Sequence, residues 1–188
     1  TKYAQQEKLT VMYSGNMGQT HQLEVLIQAA KSLLAFTDIN FIFSGEGVKK
    51  KLLETMVSEL QLPNVIILPY QAPDVFPYAI AAADISVVTL DRGMDQVSVP
   101  SKTYSALAAG CAILAIGGGD SELKRIVEHY HCGRFCKYED ADCISDFIKE
   151  LYQNRKLLSE LKSNARRASA DYTPENAKLY YQHLCNSN

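Results

Sequence analysis

Short runs of apolar residues alternate with amphipathic stretches along almost the whole chain. The runs are rich in Val, Ile, Phe and Tyr and show little polar alternation, which is typical of parallel strands buried on both faces. We predict six such strands: Leu9–Tyr13, Ile39–Phe43, Val65–Leu68, Ile85–Leu90, Cys111–Ile116 and the weaker Gly133–Lys137.

Between the runs, apolar residues recur at the spacing of amphipathic helices. The first two helices are predicted around Leu23–Leu34 and Leu52–Leu60, and Pro63 ends the second. The remaining predicted helices are Val75–Ala83, Ser101–Ala109, Glu122–His129, Asp142–Tyr152, Arg155–Ser169 and Pro174–Leu184. This alternation predicts an α/β fold, a Rossmann-like doubly wound parallel sheet of about six strands with helices on both faces.

Composition limits the possible functions. The 188 residues carry 19 Lys and Arg against 21 Asp and Glu, and this net charge of −2 lacks the basic excess of a nucleic-acid-binding domain. No apolar run reaches the roughly 18 residues that a membrane-spanning helix needs. Because the chain begins at Thr1 and shows no signal-peptide pattern, we expect a piece cut from a longer cytoplasmic protein.

The cysteines do not indicate a secreted disulfide fold. There are five of them, and the odd number and irregular spacing favour a reducing cytoplasm. His129, His131, Cys132 and Cys136 lie close in sequence but lack zinc-site spacing, so we predict ordinary packing there and no metal. Sequence order identifies no nucleophile triad, and the catalytic residue stays unassigned.

A glycine-containing loop directly follows the first predicted strand and precedes a helix. In doubly wound sheets ligands bind at the carboxyl ends of the strands. The loop Gly15, Asn16, Met17 and Gly18 therefore offers backbone amides to a phosphate, although two glycines equally suit a plain strand-to-helix turn.

The second strand is followed by a similar loop with Gly45, Glu46 and Gly47. Neither loop completes a dinucleotide fingerprint, so NAD binding is disfavoured, although Glu46 resembles a ribose-binding acid. The lysines at 49–51 are expected to form a solvated helix face. Tyr70, after the third strand, suits either stacking on a nucleobase or packing at the rim.

The loop after the fourth strand ends in Ser98-Val99-Pro100-Ser101-Lys102. Lys102 falls in the first turn of a predicted helix, where the helix dipole is also positive. A cation in this place is unfavourable without an anion nearby, so we favour ligand binding by Lys102 over a solvent-facing side chain.

Several motifs together resemble one enzyme family. The most specific are Val99-Pro100-Ser101-Lys102-Thr103-Tyr104 and Leu107-Ala108-Ala109-Gly110, supported by Ser14–Gly18, Ser44–Gly47 and Asp120–Leu123. The pattern resembles the C-terminal half of family-four retaining glycosyltransferases of the GT-B fold, in the subgroup that builds bacterial O-antigens, capsules and exopolysaccharides.

The resemblance implies that residues 1–188 form one nucleotide-sugar-binding domain. Its donor would be a UDP-sugar, with a hexosyl or acetylhexosaminyl group transferred with retention to a glycan or lipid-linked acceptor. It would need no cofactor. A missing N-terminal acceptor domain would receive the helix at about 174–185, so the fragment would be inactive alone. The full protein would act in the cytoplasm, associated with the inner membrane face.

The sequence departs from the family at two positions. Many members carry glutamates where this chain has Val97 and Ser105, so ribose recognition is expected from Ser105 or Tyr104. Asp95 and Gln96 are candidates for donor-sugar contact. The predicted donor-binding residues are Gly15, Asn16, Met17, Gly18, Gly45, Glu46, Tyr70, Ser98, Val99, Pro100, Ser101, Lys102, Tyr104 and Ser105. The alternatives are a sugar-nucleotide epimerase and a non-catalytic nucleotide-binding module.

Overall fold

A computed structural model describes residues 8–96, 99–173, 175, 176 and 178. It contains one six-stranded sheet in which every neighbouring pair is parallel. The strands are β1 Leu9–Ser14, β2 Ile39–Ser44, β3 Val65–Leu68, β4 Ile85–Thr89, β5 Ala112–Gly117 and β6 Gly133–Lys137. The predicted Rossmann-like sheet is confirmed.

Helices connect the strands and cover both faces of the sheet. They are α1 Glu24–Ser32, α2 Lys50–Glu59, α3 Phe76–Ala81, α4 Lys102–Ala109, α5 Glu122–His129, α6 Ala141–Gln153, α7 Arg155–Ala168 and a short 3₁₀ helix Ser169–Asp171. The predicted helix Pro174–Leu184 lies almost entirely outside the described residues. Among those described, no helix is both long enough and apolar enough to cross a bilayer.

The strand order β3-β2-β1-β4-β5-β6 places β1 at the point where the order reverses. Tyr13 in β1 is in register with Phe43 of β2 on one side and Val87 of β4 on the other. The loops that follow these three strands therefore meet at one edge of the sheet. A doubly wound sheet forms its ligand crevice at such a reversal point.

Alternate residues of the strands belong to two hydrophobic layers. Tyr13, Phe41 and Phe43 pack on the side of α1 and α6. Met12 and Ile113 pack on the opposite side, with residues of α4 and α5. Burial on both faces explains why the strands have continuous apolar runs instead of alternating patterns.

The cysteines behave differently from the expectation of reduced thiols. Cys136 and Cys143 are joined by a disulfide, whereas Cys111 and Cys132 are buried free thiols. Cys136 cannot serve as a thiolate ligand of a metal in this structure, because its sulfur is bonded to that of Cys143. Across the described part of the chain, no three His, Cys, Asp or Glu residues group as metal ligands would.

Candidate functional site

The two glycine loops after β1 and β2 pack against each other through their backbones. The Gly15 amide donates to the carbonyl of Ser44 at 2.9 Å, and the Met17 amide donates to that of Glu46 at 2.7 Å. Gly45 adopts φ +157°, and a Cβ there would overlap the carbonyl oxygen of Gly15. The structure thus gives Gly45 a packing role. The Glu46 side chain is exposed and forms an ion pair with Lys50.

Lys102 projects from the start of α4 over the first glycine loop. A Cβ on Gly15, which has φ +144°, would lie 3.0 Å from the Lys102 Nζ atom. The ammonium group also donates to the Tyr13 hydroxyl at 3.2 Å and lies 4.4 Å from the centre of the Tyr13 ring. The side chain is therefore turned into the crevice, as the prediction of ligand binding requires, and the solvent-facing alternative is wrong.

The environment of Lys102 disfavours its positive charge. Burial lowers the pKa of the ε-amino group to about 8, and Asp91 opposes the effect only in part. None of the ion pairs found among the described residues involves Lys102. An anion bound beside it would stabilise the charged form.

His21 occupies the same place, just before α1. Its Nδ1 atom is 3.2 Å from the Asp91 Oδ1 atom, which already accepts a 2.6 Å hydrogen bond from the Thr20 hydroxyl. The two groups lack hydrogen-bond geometry, and among the described residues Nδ1 is buried without a hydrogen-bond partner. Burial, followed by repulsion from Lys102, lowers the pKa of His21. The neutral imidazole leaves the site ready for an anion.

Lys49 supports the crevice from α2 and is not part of a solvated face. Its buried ammonium group donates to the His21 carbonyl at 2.6 Å and pairs with Glu24 at 2.8 Å. It therefore ties the start of α2 to the start of α1. The expectation that residues 49–51 are all solvated is wrong at this position. Neither His21 nor Lys49 was among the predicted site residues, because their role depends on contacts between different loops.

The other predicted residues of the glycine loops and rim have distinct surroundings. Met17 is fully buried, and its amide and carbonyl are already bonded to the backbones of Glu46 and Lys49. The carbonyl oxygen of Asn16 accepts a 2.5 Å hydrogen bond from Tyr13, which fixes the loop. Gly18 borders His21, because a Cβ there would lie 3.1 Å from the imidazole Nδ1 atom. Tyr70 is exposed after β3, where a stacking surface would be available.

The predicted residues at the start of α4 separate into two groups. Val99 packs against the hydrophobic core and Pro100 is half-buried, whereas Ser101 is exposed. Ser105 lies one turn after Lys102 on the same face of α4. The Tyr104 ring instead packs on Tyr172, with ring centres 5.0 Å apart. The site residue Ser98 and neighbouring Val97 lie outside the described residues.

A second part of the crevice lies beyond β4 and β5. It is an open cleft of about 440 Å³ lined by Gly93, Asp95, Gln96 and residues 118–120. The Asp95 Oδ1 atom accepts a 2.6 Å hydrogen bond from the Gly118 amide. The Tyr138 hydroxyl lies 3.3 Å from the same oxygen, and burial together with Asp95 raises the pKa of Tyr138 to about 12. Asp95 is thus a fixed acceptor at the mouth of the cleft.

The cleft has an acidic character that contrasts with the Lys102 end. Asp120 lines the cleft and Glu122 lines the hollow next to it, and both carboxylates pair with Arg125, at 2.8 Å and 3.3 Å. Ser121 caps α5, because its side chain accepts a hydrogen bond from the Lys124 amide. The glycine-rich segment after β5 is therefore anchored at its end.

The chain belongs to the family of glycosyl transferases group 1, whose sequence profile matches residues 2–168. It is 30% identical over 149 residues to WbjE of Pseudomonas aeruginosa, named as a probable glycosyltransferase. It is 32% identical over 125 residues to WcaI of Escherichia coli K12, whose name refers to glycosyl transfer in colanic acid biosynthesis. These matches cover 77% and 65% of the chain but only 36% and 30% of the relatives, so the chain spans about a third of their length.

Solved glycosyltransferases of the GT-B type share this fold. Anabaena Alr3699/HepE in complex with UDP superposes with a TM-score of 0.82 at 16% identity, covering 97% of this chain and 50% of that protein. Staphylococcus aureus TarM, in a complex that includes UDP, gives a TM-score of 0.78 at 20% identity, covering 98% and 36%. The chain thus shares the fold of a part of each of these enzymes.

Proposed function

We propose that the chain is the donor-binding, C-terminal half of a family-four retaining glycosyltransferase. It would hold a UDP-sugar whose sugar is passed to a glycan or lipid-linked acceptor. One observation carries this proposal: the half-buried ammonium group of Lys102 lies over Gly15 without an acidic partner in the described structure. An unpaired desolvated cation costs free energy, so its presence in a crevice favours an anionic ligand.

A diphosphate suits the surroundings of Lys102 better than a single carboxylate. The first glycine loop, the imidazole of His21 and the ammonium group of Lys102 come together at one edge of the sheet. Two linked phosphates can meet the cation and the amides of Asn16 and Gly18 at once, whereas the Gly15 and Met17 amides are already bonded to the second glycine loop. The nucleoside then extends toward Tyr70 and Ser105, and the sugar toward the acidic cleft.

Glycosyl transfer requires that the charge on the departing UDP be neutralised. Lys102 is placed to do this, because an ammonium group fixed in a low-dielectric crevice stabilises negative charge without reorganising. The sugar hydroxyls would meet Asp95, which is already oriented by Gly118 and Tyr138. The sugar is proposed to be a hexosyl or acetylhexosaminyl group, since this cleft offers acceptors and no free cation within the described residues.

The rest of the proposal concerns the longer protein. The relatives WbjE and WcaI are about three times as long as the matched segments, which supports an additional acceptor domain preceding this one. The segment 174–185 would pack on that domain. We propose that the full enzyme works at the cytoplasmic face of the membrane and that the present chain alone binds donor without transferring sugar.

Calorimetry with UDP, UMP and uridine tests the donor site. We expect affinity to fall in that order, because each lost phosphate removes a contact with Lys102 and the glycine loop. Equal affinity for UDP and uridine would contradict the diphosphate assignment. Incubation of the full-length protein with UDP-sugars then separates the functions: transfer supports a glycosyltransferase, interconversion of sugar epimers an epimerase, and binding without chemistry a non-catalytic module.

A further inference from the structure

The disulfide between Cys136 and Cys143 closes the loop that leads from β6 into α6. Cys136 is buried near the end of β6, and Cys143 lies half-buried in the first turn of α6. Their Cα atoms are 5.9 Å apart, within the usual range for disulfides. The bond therefore restrains the intervening segment 137–142 at both ends.

This segment contacts the loop that forms the acidic cleft. The Tyr138 hydroxyl lies 3.2 Å from the Leu90 carbonyl oxygen and 3.3 Å from the Asp95 Oδ1 atom. Glu139, which has φ +64°, forms an ion pair with Arg92, whose guanidinium group lies over the Tyr138 ring. Two consecutive residues inside the disulfide loop thus hold residues 90–95 from one side.

We propose that Cys136 and Cys143 form a reversible thiol–disulfide pair that controls the order of the cleft at Asp95. The proposal rests on the proposed function for its ligand, a UDP-sugar, and for the reducing cytoplasm, but not for its structural effect. In proteins of a reducing compartment, disulfides are usually transient and redox-sensing. The reduced pair releases segment 137–142 at one end, and oxidation holds Tyr138 and Glu139 against residues 90–95.

The chemistry is an exchange with a low-molecular-weight disulfide. The thiolate of Cys143, the more exposed of the two, attacks the external disulfide and releases one small thiol. The thiolate of Cys136 then displaces the second small thiol and forms the protein disulfide. The two protein thiols lose two protons and two electrons, and the external disulfide is reduced to two thiols. A small dithiol reverses the reaction by attack on the Cys143 sulfur.

The test compares the full chain after treatment with oxidised glutathione and after treatment with dithiothreitol. Alkylation and mass spectrometry should show that Cys136 and Cys143 are linked only in the first sample. Hydrogen exchange of backbone amides in residues 91–95 should be slower in the oxidised sample. UDP-glucose and UDP-N-acetylglucosamine serve as probes, and the one that binds should bind about threefold to tenfold more tightly after oxidation.

Two variants make the result decisive. Cys143→Ser should remove the response to oxidation while keeping the other cysteines, so a response that persists in this variant would overturn the proposal. Tyr138→Phe keeps the disulfide but loses the hydroxyl contacts, and it should lose most of the difference in exchange. Thiols that stay unlinked in glutathione, or equal exchange of residues 91–95 in both states, would also overturn it.

The exchange measurement separates this inference from the proposed function. If neither probe binds in either state but exchange changes with oxidation, the UDP-sugar assignment fails and the redox coupling stands. If UDP binds normally but oxidation leaves exchange unchanged, the redox coupling fails and the donor site stands.

Discussion

The crevice at the carboxyl ends of the strands has two ends that differ in charge. They also differ in whether their polar groups already have hydrogen-bond partners. At the β1 end, Lys102 and His21 face each other with their charged forms disfavoured. At the β5 end, the Asp95 carboxylate accepts from Gly118 and lies beside the Tyr138 hydroxyl. The first end therefore gains most from an anion, whereas the second is a ready-made acceptor for neutral donors.

The contrast suits the proposed ligand, which has an anionic half and a hydroxyl-rich half. A simple phosphate would leave the acidic cleft unused. Ligand sites commonly combine a shaped cleft with a few fixed polar groups that set orientation. Here charge alone would orient a nucleotide-sugar, with diphosphate at Lys102 and sugar at Asp95.

Gly45→Ala should have the largest effect because it breaks the scaffold of the cationic end. A methyl group there overlaps the Gly15 carbonyl and also requires φ +157°, so we expect a loss of roughly 3–5 kcal/mol in the free energy of unfolding. Thermal denaturation followed by circular dichroism measures it. Gly119→Ala is the control, since a Cβ there meets no atom within 4 Å. Similar melting temperatures for the two variants would contradict the packing role.

Lys102→Ala should weaken UDP binding by about tenfold to a hundredfold, since a charge-assisted contact contributes about 1.5–3 kcal/mol. The affinity of this variant for uridine should hardly change. Lys51→Ala, which removes an exposed lysine of α2, is the control, and its affinity for UDP should also hardly change. Calorimetry measures all three. An equal loss of uridine affinity would instead assign Lys102 to the nucleoside or to the fold.

The stability of the free domain should not fall in Lys102→Ala. The lysine has a lower pKa when folded, about 8, than when unfolded, about 10.5. The stability associated with the neutral side chain is thus fully present above the unfolded pKa. It is lost as the pH falls through the folded pKa of about 8. At pH 7 the charged side chain destabilises the unliganded fold. A marked drop in the melting temperature of the variant would contradict this account.

The pH dependence of UDP binding should show whether the charge of Lys102 is what distinguishes the cationic end of the crevice. Bound diphosphate raises the pKa of Lys102 above its free value of about 8, so binding takes up a proton near that pH. The affinity should fall about tenfold between pH 7 and pH 9, with most of the loss above pH 8. Lys102→Arg keeps its charge over this range and should show a flat profile. An unchanged wild-type affinity between pH 7 and 9 would exclude Lys102 as the titrating contact.

Asp95→Asn should have the smallest effect and should act only at the acidic end. An amide can still accept from Gly118 but loses the charge-assisted bonds, a difference of about 1 kcal/mol. UDP-sugar affinity should therefore fall about fivefold while UDP affinity stays constant. Asp146→Asn, at an exposed position of α6 away from the cleft, is the matched control. Parallel losses for UDP and UDP-sugar would show that the two ends are not independent.

Much of the fold could be predicted because it depends on local patterns. The continuous apolar runs identified all six strands, and Pro63 and Pro100 marked boundaries near α2 and α4. Lys102 could be singled out since its place in a first helical turn is unfavourable by itself. These signals need only residues that are close in sequence.

The remaining features depend on contacts between distant segments. Nothing beside Gly45 in the sequence indicates that its space is taken by Gly15, thirty positions earlier in the chain. In the sequence Lys49 cannot be distinguished from the solvated lysines beside it, and only the packing of α1 against α2 shows its pairing with Glu24. The link between Cys136 and Cys143 likewise requires the turn from β6 to α6. Such features could not be predicted from periodicity or motif spacing.

The low pKa of Lys102 also makes its amine a chemical reporter. With a value of about 8, roughly a tenth of the side chains carry a free electron pair at pH 7, compared with well under one in a thousand for an ordinary surface lysine. An amine-acylating reagent would then modify Lys102 ahead of the more numerous surface lysines. A bound anion would favour the protonated amine and cover the nitrogen, so the yield of labelled Lys102 would measure the fraction of empty crevices in a mixed population.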